Sequence, residues 1–449
     1  MKILQIIGNK WFRFSFWAIL YLLWVIWFGN WWFLLGLIVV FDLFITQKVK
    51  WAFWKKRYKK GEKRNPWLDW LDAIIFALVV STFIKAFFFE AYMIPTSSME
   101  RSLMTGDYLF VSKLKYGPKV SQTPISFPLV HNVMPFTGGE SYLKWIQYPY
   151  RRLSGLSDVK RDDIVVFNFP HGDTVLKSMP SEDYYAHVRI HGRDFVKQVY
   201  GDYVVRPDDK KDNYVKRCVA VAGDTLSIIN GWVYVNGKPQ DNILGIQNTY
   251  TVITNGSTIN NAIIDEMNLS RETLYFDLSI PGYQYFPLNS SEVSKIESLP
   301  NVLEVRQNID TYPPDYPDSP ILIFPFDTTY KWTRDNYGPI YIPKKGDKIE
   351  INRENLSLYG RIISVYEEND LRVEADSIYI NGELVDSYTF KMDYYFMLGD
   401  NRHNSLDSRY WGFVPHSHVV GSPSVIWLSK DKYKSFPSNI RWNRIFKIL

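Results

Sequence analysis

The chain has 449 residues, a formal net charge of +5, a single cysteine (Cys218) and 17% aromatic residues led by tyrosine, phenylalanine and tryptophan. One cysteine excludes an intramolecular disulfide framework, and so small a charge for this length gives no electrostatic footprint for a nucleic-acid partner. The aromatic excess favours membrane–water boundaries and partly wet sheets.

"WFRFSFWAILYLLWVIWF" (11–28) and "WWFLLGLIVVFDLFI" (31–45) are separated by Gly29-Asn30. Neither ends at a small-residue cleavage site, so residues 1–46 are read as a transmembrane helical hairpin and not as a cleavable signal. A buried soluble hairpin is the plainer alternative. "QKVKWAFWKKRYKKGEKR" (47–64) carries nine Lys and Arg, and between apolar spans such a stretch (47–66) reads as a cytoplasmic loop. "WLDAIIFALVVSTFIKAFFF" (70–89) is a third span within 67–90, with Lys85 placed to snorkel. This parity puts the N-terminus inside and everything after about residue 90 on the extracytoplasmic side.

Beyond residue 90 the pattern becomes short alternating runs: "DYLFVSKL" (107–114), "DIVVFNF" (163–169), "DTLSIING" (224–231), "WVYVNGK" (232–238), "DKIEIN" (347–352) and "SIYINGELV" (377–385). Asn-Gly pairs at 230–231, 236–237 and 381–382 predict tight antiparallel hairpins. Gly106-Asp107, Gly223-Asp224 and Gly346-Asp347, echoed by Asp162-Asp163, look like a repeated turn into a strand. The fold class is therefore N-terminal transmembrane helices followed by a mainly antiparallel β exported domain, 91–240 with 376–430. Residues 241–375 read as a β-rich accessory insertion, irregular at "DTYPPDYPDSP" (310–320), and 431–449 as a tail able to form one short helix.

"IPTSSMERSLMTGDYLFVSK" (94–113) offers three serines, Ser97, Ser98 and Ser102, with no histidine close by. A nucleophilic hydroxyl needs a base. None of the seven histidines reads as a triad member, and the His416/His418 pair around Ser417 carries no metal assignment. Lysine is left as the candidate base. Lys216 stands out between Val215 and the run "RCVAVAGD". The polar segment "FMLGDNRHNSLDSRYWGFVP" (396–415) lacks the ligand spacing of a calcium loop, and Asp400, Asn401, Ser405, Asp407 and Arg409 could form a self-satisfied network.

Four segments together resemble the bacterial type I signal peptidases, membrane-anchored serine–lysine endopeptidases of the S26 group. Pro95-Thr96-Ser97-Ser98-Met99 with Gly106-Asp107 resembles their serine motif, and Lys216 to Asp224 their lysine motif. Gly399 to Gly412 matches their Gly-Asp-Asn-x-x-x-Ser-x-Asp-Ser-Arg-x-x-Gly motif, and Arg161 to Phe167 their Arg-Gly-Asp-Ile-Val-Val-Phe strand with Asp162 for glycine. Ala220 and Ala222 replace a usual glycine and proline.

The resemblance implies a signal-peptidase/LexA-like catalytic core, with Ser98 as nucleophile and Lys216 as general base. Thr96, with the Ser98 N–H, would form the oxyanion hole. Ser405 would hydrogen-bond and aim the lysine, and Asp407 and Arg409 would support it as an ion pair. Tyr92, Ile94, Met99, Leu103, Tyr214 and Val215 would line small substrate pockets. The implied partners are signal-peptide-bearing preproteins and the lipid bilayer of the cytoplasmic membrane, cut after small residues at −1 and −3, with no cofactor. A specialised processing peptidase of the same family, or a non-catalytic β-domain that binds exported chains, are the alternatives. An unperturbed lysine is neutral only about once in 2,500 at pH 7, so the base requires burial.

Overall fold

A computed structural model describes residues 9–49, 51, 66–241, 243, 245–267, 269, 274–276, 282–312 and 322–449. Most of the basic 47–66 loop and of the 310–320 segment lies outside the described residues. The chain divides into two compact units, 1–84 with 152–154, and 85–151 with 155–449.

In the first unit, α1 (Lys10–Phe28) is capped by the Asn9 side chain at its start and stopped by Gly29 in the left-handed conformation. The second apolar stretch is helical over Trp31–Thr46, which we call α2, in successive 3-10, α and π turns. It stops at Thr46 because the buried Asp42 carboxylate gathers the N–H groups of Lys48 and Val49 (both 3.0 Å) and the Trp51 indole (2.9 Å). Helix α3 (Pro66–Phe87) follows. Helices α1 and α3 are long and apolar enough to cross a bilayer; α2 is shorter than the roughly 20 residues of a full span.

The second unit is built on an eight-stranded sheet of β1 (Phe89–Met93), β2 (Asp107–Ser112), β3 (Ile164–Asn168), β4 (Asn213–Ala220), β5 (Tyr394–Leu398), β6 (Val414–Pro415), β7 (Val419–Ser429) and β8 (Lys447–Ile448). The order is β1-β2-β7-β3-β4-β5-β6, with β8 also on β7, and every pairing is antiparallel. Strand β3 is apolar from Ile164 to Phe167 because both faces of the sheet are covered. Its Val165 and Phe167 join Cys218, Met397 and Trp411 on one face, while Val166 joins Ile94, Met99, Leu103, Leu109 and Ile426 on the other.

Three of the four turn-into-strand sites share one chemistry, while Asp347 accepts instead from the Tyr341 hydroxyl. Asp107, Asp163 and Asp224 each accept a hydrogen bond from the N–H three residues earlier (Met104, Lys160 and Val221; 2.8, 3.0 and 2.9 Å). Each is then held by a distant cation: Arg444, Lys115 and Arg161 respectively. The carboxylate closes the turn, and the cation fixes the turn to the rest of the sheet. Both residues of the Asn-Gly pairs at 230–231, 236–237 and 381–382 have positive φ, the requirement of the tight hairpin turns the sequence predicts.

Residues 241–375 are divided. Strands Asn248–Thr254, Tyr275–Phe276, Tyr283–Leu288 and Val302–Gln307 form a four-stranded sheet with its own core around Val252, Ile264, Phe286 and Ile296. By contrast Ile323, Phe324, Tyr337, Ile340, Tyr359 and Ile363 share one core with Val219, Leu226, Phe396 and Phe413, and Tyr337–Tyr341 pairs with Thr225–Ile229. The later part is thus built into the β domain. Helices that the strand-dominated pattern did not predict occur at Tyr184–His191, Arg193–Tyr200, Ser290–Glu297 and Arg353–Arg361.

The tail corrects an expectation. Instead of one amphipathic helix over 438–449, the chain makes a single 3-10 turn at Trp442–Arg444 and then adds β8 to β7. Arg444 donates from Nε to Asp107 Oδ1 (3.1 Å) and from Nη2 to Oδ2 (2.5 Å). That buried pair anchors the tail in a geometry that leaves the last residues free to extend a sheet edge.

Candidate active site

Strand β1 leads through Pro95 and the exposed, extended Thr96 into one 3-10 turn, Ser97–Met99. The turn is held from outside by the 399–412 loop. Asn401 donates its backbone N–H to Ser98 O (3.1 Å) and its amide to Ser97 O (3.3 Å), and the Asn404 amide donates to Ser97 Oγ (2.8 Å). Ser102 donates to Asp400 Oδ2 (2.5 Å). Ser98 is the serine that meets an amine: Lys216 Nζ, reaching from β4, lies 2.6 Å from Ser98 Oγ. No histidine is hydrogen-bonded to Ser98 among the described residues.

Lys216 is 4% exposed. Burial pushes its pKa down to about 8, against the upward pull of the Asp407 and Asp400 carboxylates and with a smaller downward push from Arg409. A displacement of that size corresponds to about 3 kcal/mol disfavouring the ammonium and leaves roughly one lysine in ten neutral at pH 7. The two carboxylates do not undo it because each is occupied. Asp407 is clasped by Arg409 (Nε to Oδ1 2.9 Å, Nη2 to Oδ2 2.8 Å) and accepts the Gly399 N–H (3.1 Å). Asp400 is clasped by Arg217 (Nε to Oδ1 2.7 Å, Nη2 to Oδ2 2.6 Å).

Ser405 departs from its expected contact. Its buried Oγ has no hydrogen-bond partner among the described residues, so it does not aim Lys216 in this structure. It packs instead against Gly399, where an added Cβ would collide with the Ser405 hydroxyl and lie 2.7 Å from Ser98 O. Gly399 therefore lets three chain segments close on one point. The lysine is directed by burial and by its β4 position opposite Val165.

Of the expected pocket residues, Ile94, Met99 and Leu103 lie in one apolar cluster with the partly buried Tyr92 and Val215. Met99 and Leu103 have no exposed surface, so they form the floor beneath the site. Tyr214 belongs to the opposite face, stacked on Phe169 (centroids 4.6 Å apart), though its ring centroid is 5.8 Å from Lys216 Nζ. The Thr96 hydroxyl makes no cap to the turn it precedes.

Sequence reasoning missed Arg217 and the part played by Ser102. The Arg217–Asp400–Ser102 set joins β4, the 399–412 loop and the segment after Ser98, with Arg217 Nη2 also 3.1 Å from Ser102 Oγ. The 399–412 residues are thus satisfied across segments as well as among themselves. His403 was missed as well: it accepts the Thr249 N–H (3.0 Å) and faces Asp335 (2.8 Å), tying the loop to the four-stranded sheet. Asp310 completes that acidic group, but Arg334 grips both its oxygens (2.5 and 3.0 Å), so an arginine supplies the cation there.

The pattern that defines the family described as "Signal peptidase, peptidase S26" matches residues 67–295 and 342–428, which include every one of these groups except Asp310, Arg334 and Asp335. The chain belongs to that peptidase family. Similarity to the signal peptidases extends over most of the length. "Signal peptidase I" of Buchnera aphidicola subsp. Baizongia pistaciae is 23% identical over 394 residues, covering 87% of this chain and 85% of the relative. That of Helicobacter pylori strain J99 is 23% identical over 394 residues, covering 84% and 90%. A shorter segment of 55 residues is 54% identical to "Signal peptidase I" of Buchnera aphidicola subsp. Schizaphis graminum, covering 12% and 18%. The resemblance read from the four motifs to bacterial type I signal peptidases is borne out.

Proposed function

We propose that the chain is a membrane-bound serine endopeptidase that removes N-terminal signal peptides from exported preproteins, with Ser98 as nucleophile and Lys216 as general base. The observation that carries this reading is the 2.6 Å approach of a buried amine to Ser98 Oγ. A neutral Lys216 accepts the Ser98 proton as Oγ attacks the scissile carbonyl. The oxyanion that forms is received by the Ser98 N–H and the Thr96 hydroxyl. The ammonium then returns its proton to the leaving amine, which releases the mature chain and leaves the signal peptide as an ester on Ser98. Lys216, neutral again, takes a proton from water, and hydroxide attack on the ester frees the signal peptide and restores Ser98.

The substrate lies extended against the free edge of β1, which is unpaired on one side among the described strands. Tyr92, Ile94 and Val215, which share one apolar cluster, would line the surface that selects small residues at −1 and −3. Helices α1 and α2 form a hairpin through the bilayer, the short α2 being accommodated by local thinning, and α3 brings the catalytic domain out on the extracytoplasmic side.

The test is cleavage of a preprotein carrying an Ala-x-Ala site, in detergent or lipid, by the full chain and by Ser98→Ala and Lys216→Ala. Cleavage after the second alanine, lost in both variants, is the expected result. Cleavage that survives Ser98→Ala places the nucleophile elsewhere, and no cleavage by the folded full chain removes the assignment.

A further inference from the structure

Around the 399–412 loop three buried guanidiniums, two from the loop and Arg217 from β4, meet two buried carboxylates. The buried guanidiniums of Arg217, Arg402 and Arg409 face the carboxylates of Asp400 and Asp407, and those two are clasped by Arg217 and Arg409. Arg402 is 3% exposed and has no carboxylate within ion-pair distance among the described residues. Its side chain donates from Nη2 to the neutral Gln240 amide (3.3 Å), which in turn donates to Asp162 (2.5 Å), while its Nε has no partner among the described residues. Burying a cation without a counter-charge is costly. Burial and Arg409 push its guanidinium pKa down to about 10, against the upward pull of Asp400 and Asp407, neither of which it contacts as an ion pair.

Arg402 lines a cavity of about 120 Å³ between the hairpin around Trp232 and Tyr234 and the four-stranded sheet. That is roughly ten times the space needed to admit one water. Trp232, Tyr234, Ile246 and Leu288 supply apolar walls, and Asn248 presents an Oδ1 that is also without a partner among the described residues. Asp241 is exposed at the rim. Water can hydrate such a cavity but cannot neutralise its cation. We infer that this cavity is a binding site for a small organic carboxylate with an apolar body and one N–H or O–H donor, the carboxylate pairing with Arg402 and the donor meeting Asn248.

This site is separate from the Ser98–Lys216 contact and stands or falls independently of the proposed cleavage reaction. Its test is isothermal titration calorimetry of the full chain in detergent, in chloride-free buffer, with 2-hydroxyisovalerate and its neutral amide as probes. The expected result is saturable binding of the acid at one site, with the amide at least about tenfold weaker. Arg402→Met should lose that binding and Arg402→Lys should retain a weaker form of it. Ser290→Trp, a substitution at an exposed residue lining the cavity, blocks it without touching the buried network and keeps the test valid if Arg402→Met fails to fold. Equal affinity for acid and amide, no saturable binding of the acid, or undiminished binding by Ser290→Trp overturns the inference.

Discussion

Replacing Lys216 by methionine should abolish cleavage and at the same time stabilise the fold, by an amount that depends on pH. The native amine has its pKa held at about 8, while the unfolded chain exposes an ordinary lysine near 10.5. Below pH 8 both states are protonated, and the native state carries the full desolvation cost of about 3 kcal/mol. Between pH 8 and 10.5 the unfolded state holds a proton that the native state has shed, so the stability of the wild type rises with pH through that window. Methionine fills a similar volume and has no charge to bury. The variant should therefore be more stable by a few kcal/mol at pH 7, with the advantage shrinking towards zero by pH 10.5. Urea unfolding of both proteins in detergent, followed by tryptophan fluorescence from pH 7 to 10.5, measures the difference. Other groups that titrate in the window cancel between the two. A gap that stays constant across the window, or a variant less stable at pH 7, would refute the argument that burial holds this amine down.

In the proposed mechanism the same pKa sets the rate. Under subsaturating substrate, kcat/KM should climb about tenfold per pH unit up to roughly pH 8 and then level off, as the neutral fraction of Lys216 saturates; a profile flat from pH 6 to 8 would mean that Lys216 is not the base. Gly399→Ala should cut kcat at least about tenfold, because its Cβ would stand 2.7 Å from Ser98 O. Adding Ser405→Ala should not restore the rate, since the Cβ of residue 405 at 2.5 Å and Ser98 O at 2.7 Å both remain in the way, and steady-state kinetics of the single and double variants decide. Arg444→Met leaves the Asp107 carboxylate buried and uncompensated and should cost about 3–5 kcal/mol of stability. Pairing it with Asp107→Asn should recover part of that loss in an unfolding double-mutant cycle.

Local rules carried far in this chain. The Asn-Gly hairpins and the Gly-Asp strand entries follow from backbone conformation and from a carboxylate three residues away, both written within a few positions. The pairing of Ser98 with Lys216 spans 118 residues and was readable only because the two sit in motifs shared with a family. Contacts such as Arg217 with Asp400, 183 residues apart, or Ser102 with Asp400, 298 apart, have no local signature. The short helix at Ser290–Glu297 did carry one, the Asn289/Glu292 capping box, obscured by the Ser- and Asn-rich run around it. The tail misled because a charge pattern fit for a helix is overridden by one long-range clasp, Arg444 on Asp107. Ser405 shows the complementary limit: a motif match puts the residue beside the site without fixing where its hydroxyl points.

The missing histidine has a physical reason in this fold. Any base that reaches Ser98 from β4 is buried between covered sheet faces, and burial lowers the pKa of a cationic base whatever its identity. Histidine starts near 6.5, so burial drives it out of its useful range. His171 and His418, both buried in this domain, are held below their ordinary value, and His418 well below it even with Asp208 3.6 Å away. Lysine starts about four units higher, and the same penalty brings it to about 8, where an amine is both partly neutral and still strongly basic. A histidine at position 216 would need a carboxylate orienting it and raising its pKa. The two nearby carboxylates, Asp400 and Asp407, are already committed to Arg217 and Arg409. The arrangement that leaves no acid free to serve a histidine is the same one that leaves no acid free to hold the proton on Lys216.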